Sequence, residues 1–458
     1  MKSLKKIAKH SIFVQVASKG IGFIANVLFL RFIPPGMIGG FTLLSSTAQS
    51  LSSIAHFGTD YNYQVRVCAL PKSERGGIQR QFLSWNALFS GLGALLAWPI
   101  LQPSLKHLGE SVWYIALIIG YLFIESYVDV LWEPLLANRN YSQVFQRHLQ
   151  VALFKVILPF SLGLWLGWIG ILIGLLLSST INAGAAILNL RQLPEANGNP
   201  LPLKIFLTGG VQFYLVPFAH QLVFFPALLL IGADQGLQKL SLLKVAQLMV
   251  QLVGIFPTAL APILFIESSH GSDEAKTRLI VALEGVILVG LGIFSIYTLL
   301  DINLLPRIFG NNYSDAIIPA RALLLAAVCN GINQVFQQQA FIGLQLTQIS
   351  VLQISVLLSI APFGYILWLP KWGIDGYAWL SLTVAITTTL ALTFWDSKKV
   401  LRCKENILPC LALLLVLPLA IWEPIMPLSW LMSIGSISIL GITIYLRVTG
   451  RRSMNRKI

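Results

Sequence analysis

Charged side chains are scarce in this chain, at 11% of its 458 residues, and carboxylates are scarcer still, with 18 Asp and Glu against 32 Lys and Arg. Because 56% of the residues are hydrophobic and the mean hydropathy is +0.75, the composition excludes a water-soluble globular protein. It indicates a polytopic integral membrane protein. The net charge of +14 does not suggest nucleic acid as a partner, since basic residues of so apolar a chain collect in cytoplasmic loops.

Cysteine and long polar segments are also lacking. The four cysteines show no CxxC spacing, so we expect neither a disulfide framework nor a metal site. The longest stretches between apolar segments, about 60–81 and 301–315, are too short for a soluble catalytic domain, and no GxxxxGKS or GxxxxGKT phosphate loop occurs. We therefore expect a protein that is not an enzyme and that holds no cofactor.

Apolar stretches of about twenty residues, the length that crosses a bilayer core, recur along the chain. They predict an all-α protein with about fourteen transmembrane helices, of which the fourth covers about 112–132. The fifth and sixth, about 149–167 and 169–190, meet at a tight turn in "LGWIG". Of the 32 basic residues, 23 lie on one side of this pattern and five on the other. The positive-inside rule then predicts that both termini are cytoplasmic.

Weak internal repetition divides the chain. "FTLLSSTAQ" (41–49) resembles "LSLLKVAQ" (240–247), and "NYSQV" (140–144) resembles "QLTQI" (345–349). Because these matches keep their order and an offset of about 200 residues, we interpret 1–200 and 201–400 as two halves of one transporter. The last two spans and a basic cytoplasmic tail occupy 401–458. Chance similarity between apolar segments is the alternative.

Three stretches carry proline- or glycine-containing turns beside apolar segments. The longest is "LFLRFIPPGMIGGFTLLSSTAQSLSSIAHFGTDYNYQVR" (28–66), with Pro34, Pro35, Gly39, Phe41, Gly58 and Arg66. The others are "LLPRIFGNNYSDAIIPARALLLAA" (304–327) and "KWGIDGYAWLSLTVA" (371–385). They resemble, in this order, the first two helices with their turn and the entries to the tenth and twelfth helices of the Wzx-type polysaccharide-unit flippases, which belong to the multidrug/oligosaccharidyl-lipid/polysaccharide (MOP) exporter superfamily.

The resemblance implies a MATE-like fold of two six-helix lobes around a central cavity, with two C-terminal helices appended. It implies a bacterial inner-membrane flippase that moves a polyprenyl-diphosphate oligosaccharide to the outer leaflet, for O-antigen lipopolysaccharide or exopolysaccharide synthesis. Its partners would be membrane lipids, a polysaccharide polymerase and chain-length proteins. Two alternatives stay open: a cation-coupled multidrug exporter of the same superfamily, and a membrane enzyme acting on lipid-linked sugars. Short outer loops argue against the enzyme.

Carboxylates inside an expected span raise a separate question. In "LFIESYVDVLWEP" (122–134), Glu125 and Asp129 are one helical turn apart and share a face. Charges in a bilayer are costly, so such residues face a bundle interior or a watery cavity. They are candidates for a structural ion pair, with Lys19 and Lys155 as partners, or for coupling to protons or Na⁺. Glu284 is the corresponding candidate in the second half.

Basic residues within spans suggest a second kind of site. A cargo on a diphosphate carrier is anionic, so cavity cations would bind its phosphates. The candidates are Lys19, Lys155, Lys244 and Arg321, of which Lys19 and Lys155 lie deepest. Polar residues that would bond hydroxyl-rich cargo, or simply join helices, are Gln15, Asn26, Gln49, Gln212, His220 and Gln221.

Overall fold

The computed structural model describes residues 2–60, 63, 67, 71, 74–106, 112–138, 141–192, 199–268, 285–286, 289–294, 296–298, 305–342 and 346–397. Within these ranges the regular secondary structure is helical, as the composition predicts, and no strand occurs. The helices are α1 (Lys2–Phe32), α2 (Pro35–His56), α3 (Gly76–Leu105), α4 (Val112–Ala137), α5 (Tyr141–Leu190), α6 (Leu203–Asp234), α7 (Leu237–Ser268), α8 (Ile317–Ile342), α9 (Leu346–Phe363), α10 (Leu369–Trp372) and α11 (Ile374–Ser397).

Six segments among the described residues are long and apolar enough to cross a membrane. This supports the membrane class, while the total of fourteen spans stays a prediction. The last two expected spans, in 401–458, lie outside the described residues. The six segments are Gly76–Leu105, Val112–Leu135, Leu153–Leu190, Tyr214–Asp234, Asn311–Gln334 and Gln348–Trp372.

The proline pair forms the predicted turn between the first two helices. α1 ends at Phe32, Pro34 adopts an extended conformation (φ −56°, ψ 138°), and Pro35 is the first residue of α2. Proline suits that position because its fixed φ matches the helix and the N–H that it lacks would have had no helical partner. Gly39, one turn on, lies against the backbone of Leu237, so that a Cβ there would come within 1.7 Å of the Leu237 carbonyl oxygen.

A second turn divides α5 into two arms, 141–166 and 168–190. Gly167 takes φ 60° and ψ −137°, a conformation outside the helical region that glycine adopts without steric cost. The arms fold back on each other, since a Cβ at Gly174 would lie 2.5 Å from the backbone nitrogen of Pro159, fifteen residues earlier. This is the tight turn that "LGWIG" predicts, and small residues allow the two arms to approach closely.

The chain divides into two compact units. The first comprises Met1–Lys244 together with Leu369–Ile374, and the second comprises Val245–Trp368 and Asp375–Ile458. In the first unit, α4 packs against α2, α3 and α5. α1 also packs against α5. In the second unit, Gly364 lies against the side chain of Leu380, and Asn333 of α8 accepts a 2.9 Å hydrogen bond from Thr389 of α11. The sequence-based boundaries at 200 and 400 remain predictions.

Candidate functional site

The two span carboxylates of α4 lie in different surroundings. Glu125 has a side chain that is only 14% exposed, whereas Asp129, one turn later, is exposed. α4 is apolar on nearly all sides, and most of its length is covered by α2, α3 and α5. Of the two carboxylates, Glu125 and Asp129, Glu125 is therefore the one that lies inside the helix bundle.

Both oxygens of the Glu125 carboxylate have partners. Lys155, on the first arm of α5, donates from its Nζ to Oε1 and forms an ion pair. Ser179, on the second arm, donates from its Oγ to Oε2 at 2.6 Å. Lys155 is one of the two lysines that the sequence suggests as partners of the span carboxylates. Charge-assisted hydrogen bonds of this kind are about twice as strong as neutral ones, so the three groups hold α4 to both arms of the hairpin.

The hairpin positions Lys155 and Ser179 on the same side of α4. Pro159 and Gly174 are in backbone contact across the two arms. Lys155 precedes Pro159 by four residues and Ser179 follows Gly174 by five, so both lie at a similar level of the antiparallel hairpin, about 6 to 7.5 Å along the arms from that contact. The close approach therefore brings the ammonium and the hydroxyl to the level at which both contact Glu125. Glycine at position 174 is therefore part of what builds the site.

Replacing Ser179 with alanine should lower the Tm by about 5 °C, because a buried hydrogen bond to a charged acceptor is lost. Ser178→Ala is the matched control, since Ser178 is also buried but donates to the Leu175 carbonyl of its own helix, at 2.8 Å. Thermal unfolding in detergent measures both. Equal shifts for the two variants would contradict the contribution assigned to the Ser179–Glu125 bond.

Further ionisable side chains lie near the Glu125–Lys155 ion pair. Asp129 and the fully buried Tyr121 of α4 lie within electrostatic range of Lys155. Lys244 of α7 is close enough to Lys155 for the two ammonium groups to repel, and its Nζ lies 4.9 Å from the centroid of the Phe41 ring of α2. That ring stabilises the ammonium through its negative face. The negative charges near these two ammonium groups are the carboxylates of Glu125, which contacts Lys155, and of Asp129.

This grouping differs from the one that the sequence suggested. By its position in the chain, Lys244 belongs to the second predicted half, 201–400, together with Glu284 and Arg321. The structure places Lys244 in the first unit with Lys155, whereas Arg321 is buried in the second unit on α8. Lys19 is half-buried on α1, which packs against α5, and Glu284 lies outside the described residues.

Of the polar residues that the sequence suggests for cargo binding, Gln221 joins two helices, whereas Asn26 and His220 contact their own helices. The Oγ of Ser50 donates to Oε1 of Gln221 at 2.6 Å, and Asn26 donates to the Gly22 carbonyl of its own helix at 2.7 Å. The His220 ring stacks on Phe224, with 5.5 Å between centroids. Gln49 is exposed, and the side chains of Gln15 and Gln212 lie outside the described residues.

Two members of the cluster were missed from the sequence. Ser179 belongs to "SST" (178–180), a polar run within an otherwise apolar span, and such runs mark helix contacts in membranes. In the sequence, Phe41 stands out only as part of the turn motif in 28–66. No group of three or more His, Cys, Asp or Glu side chains that could hold a metal ion occurs among the residues that the structure describes.

Comparison with known proteins finds solved structures with a similar fold, but no match by sequence. No protein-family model matches the chain, and no curated protein matches it by sequence. A solved structure of the lipid II flippase MurJ, in an inward closed conformation, aligns with a TM-score of 0.64 and 15% identity, over 95% of this chain and 98% of that one. The similarity extends over nearly the whole of both chains.

Two further solved structures have the same architecture. An inward-facing multidrug resistance MATE family transporter of the MOP superfamily aligns with a TM-score of 0.61 and 14% identity, over 85% of this chain and 98% of that one. A MOP superfamily transporter from Pyrococcus furiosus Vc1 (DSM3638), described as having a binding pocket of reverse polarity, aligns at 0.62 and 13%, over 87% and 95%. The protein therefore has the fold of MOP superfamily transporters.

Proposed function

We propose that this protein is a membrane transporter that works by alternating access and moves a lipid-linked oligosaccharide from the cytoplasmic to the outer leaflet. The fold supports the transporter class, because the solved structures that share it over nearly their whole length are a flippase and multidrug transporters. The substrate class is supported by the two ammonium groups of the site. The polysaccharide pathway, the polymerase and chain-length partners, and the inner-membrane location belong to the same proposal.

The observation that carries the substrate class is the pair of ammonium groups of Lys155 and Lys244. They lie within electrostatic range of each other inside an apolar helical unit, and one carboxylate contacts one of them. Two nearby cations repel, so their proximity costs free energy unless an anion lies between them. A polyprenyl diphosphate carries two adjacent phosphoryl groups, and each can accept charge-assisted hydrogen bonds from one ammonium.

The multidrug alternative differs in the charge of its cargo. Lys155 and Lys244 would repel a cationic compound at short range, although the carboxylates of Glu125 and Asp129 in the same cluster offset part of that repulsion. An anionic or neutral small molecule would not be repelled by the two ammonium groups. The membrane-enzyme alternative finds no support in the transporter fold of the solved structures.

Ion coupling forms a further part of the proposal. Glu125 is tied to Lys155 and Ser179, which favours the structural ion pair over a free proton or Na⁺ site in the resting protein. Asp129 is exposed on the same face of α4 and is the better candidate for a group that exchanges protons with water. Asp129→Asn should then change the dependence of transport on a proton gradient without reducing the folded yield.

Proteoliposomes that contain a fluorescent polyprenyl-diphosphate saccharide test the proposal. Reduction of the fluorophore from outside by dithionite measures how fast the labelled head group exchanges between leaflets. We expect protein-dependent exchange that is not supported by empty liposomes, and a rate that changes when a proton or Na⁺ gradient is imposed. No protein-dependent exchange with several different saccharides would overturn the flippase assignment, and protein-dependent uptake of a small dye instead would favour the multidrug alternative.

A further inference from the structure

The two members of the Glu125–Lys155 ion pair differ in exposure. The Lys155 side chain is 35% exposed, whereas that of Glu125 is 14% exposed and is additionally held by Ser179. This difference favours the approach of a ligand to Lys155 over its approach to Glu125, and the bond to Ser179 favours a carboxylate that stays in place when the ammonium moves. Lysine also has a flexible four-carbon stem, so its charge can turn from one partner to another at small conformational cost.

We propose that Glu125 is an internal counter-anion that competes with the anionic group of the cargo for Lys155, and so sets how tightly the cargo is held. This inference rests on the proposed function. In the empty transporter Lys155 pairs with Glu125. When a diphosphate enters, Lys155 turns from the carboxylate to a phosphoryl oxygen beside Lys244, and Glu125 keeps its bond to Ser179. When the cargo leaves, Glu125 takes the ammonium back.

The physical reason lies in the strength of unopposed charge in an apolar medium. Two ammonium groups and a diphosphate at low dielectric constant attract one another strongly, and a transporter that binds cargo too tightly releases it slowly. A carboxylate that already pairs with one ammonium removes part of that attraction, because the cargo must first displace it. It also spares the empty site an unpaired cation among apolar helices, which would be costly.

Ser179 has a defined role in this exchange as a positioning residue. Its Oγ holds Oε2 of Glu125 at 2.6 Å and leaves Oε1 directed at Lys155. The carboxylate consequently keeps one hydrogen-bond donor after Lys155 has turned away, which lowers the cost of separating the pair. The competition therefore depends on three residues from one helix and both arms of the α5 hairpin.

Binding of inorganic pyrophosphate to the purified full-length chain in detergent tests the inference directly. Glu125→Gln keeps the shape of the side chain and its bond to Ser179 but removes the competing charge. We expect it to bind pyrophosphate about tenfold more tightly than the wild type, the change that removal of one opposing charge-assisted contact produces. In the leaflet-exchange assay the same variant should show a lower KM and a lower kcat for the labelled lipid, because release becomes slow.

Asp234→Asn is the matched control. It removes one negative charge from the same unit, at the exposed end of α6, and leaves the Glu125–Lys155 contact intact. We expect it to change pyrophosphate affinity by less than about threefold, since an exposed charge acts weakly. If Glu125→Gln does not yield folded protein, Glu125→Asp, which is one methylene too short to hold Lys155 as closely, should shift the affinity in the same direction.

The outcomes separate this inference from the proposed function. If the wild type does not bind pyrophosphate and does not move the labelled lipid, the anionic substrate class itself is wrong. If the wild type binds pyrophosphate but Glu125→Gln binds it no more tightly, or more weakly, Glu125 does not compete for Lys155 and only this inference is overturned. Equal gains in affinity from Glu125→Gln and Asp234→Asn would show that only the net charge of the protein matters, and would also overturn this inference.

Discussion

Leaflet exchange of a polyprenyl-diphosphate saccharide should fall by about a hundredfold or more when Lys155 and Lys244 are both replaced by methionine, since two charge-assisted contacts to the cargo are lost together. Methionine keeps most of the apolar stem of each lysine and so preserves the packing against Phe41. Because Lys155→Met alone would leave the buried Glu125 carboxylate without its counter-charge, the substitutions are made in a Glu125→Gln background. The Glu125→Gln protein is then the reference for the dithionite assay.

The control for this loss removes two lysines of the same unit that lie outside the cluster. Lys106 and Lys204 are exposed residues near the ends of α3 and α6, and their double replacement by methionine lowers the net charge by the same amount. Exchange by this control should stay within about twofold of the reference, because exposed charges contribute little. Unchanged exchange in the folded Lys155→Met, Lys244→Met protein would contradict the binding role of the two ammonium groups.

Gly174→Ala should lower the Tm by about 5 to 10 °C and also impair transport, because overpacking costs up to about 3 kcal/mol. The new Cβ would lie 2.5 Å from the nitrogen and 2.6 Å from the Cα of Pro159. These are backbone atoms, which cannot rotate away as a side chain can, so the two arms of α5 must separate. Lys155 and Ser179, four and five residues from this contact, would then no longer both reach the Glu125 carboxylate.

Gly184→Ala is the matched control, on the same arm of α5. No atom lies within 4 Å of a Cβ placed at Gly184, and alanine favours a helix more than glycine does. The Tm of this variant should equal or slightly exceed that of the wild type in the same thermal-unfolding measurement. If the Tm of Gly184→Ala falls as far as that of Gly174→Ala, an added methyl group destabilises this arm wherever it is placed. That result would contradict the effect assigned to the Pro159 contact.

Local features of the fold could be predicted because each depends on a few adjacent residues. Pro34 and Pro35 end one helix and start the next, since proline fixes φ and lacks an N–H. The turn at Gly167 follows from two apolar stretches that meet with no polar loop between them. Glu125 and Asp129 share a face because residues four apart always do in an α-helix.

The sequence by itself therefore determined the membrane class, the main turns and the short list of charged residues that must avoid lipid. Tertiary structure decided which of these residues come together. Lys155 rather than Lys19 contacts Glu125, and Ser179 donates a hydrogen bond to the other carboxylate oxygen. Lys244 lies within electrostatic range of Lys155. Helices such as α4 and α5 are apolar on nearly every side, so the hydrophobic periodicity that reveals the inner face of a soluble helix is missing. In lipid, packing of small residues such as Gly174 selects the neighbours instead, and that selection depends on the shapes of two surfaces far apart in the chain.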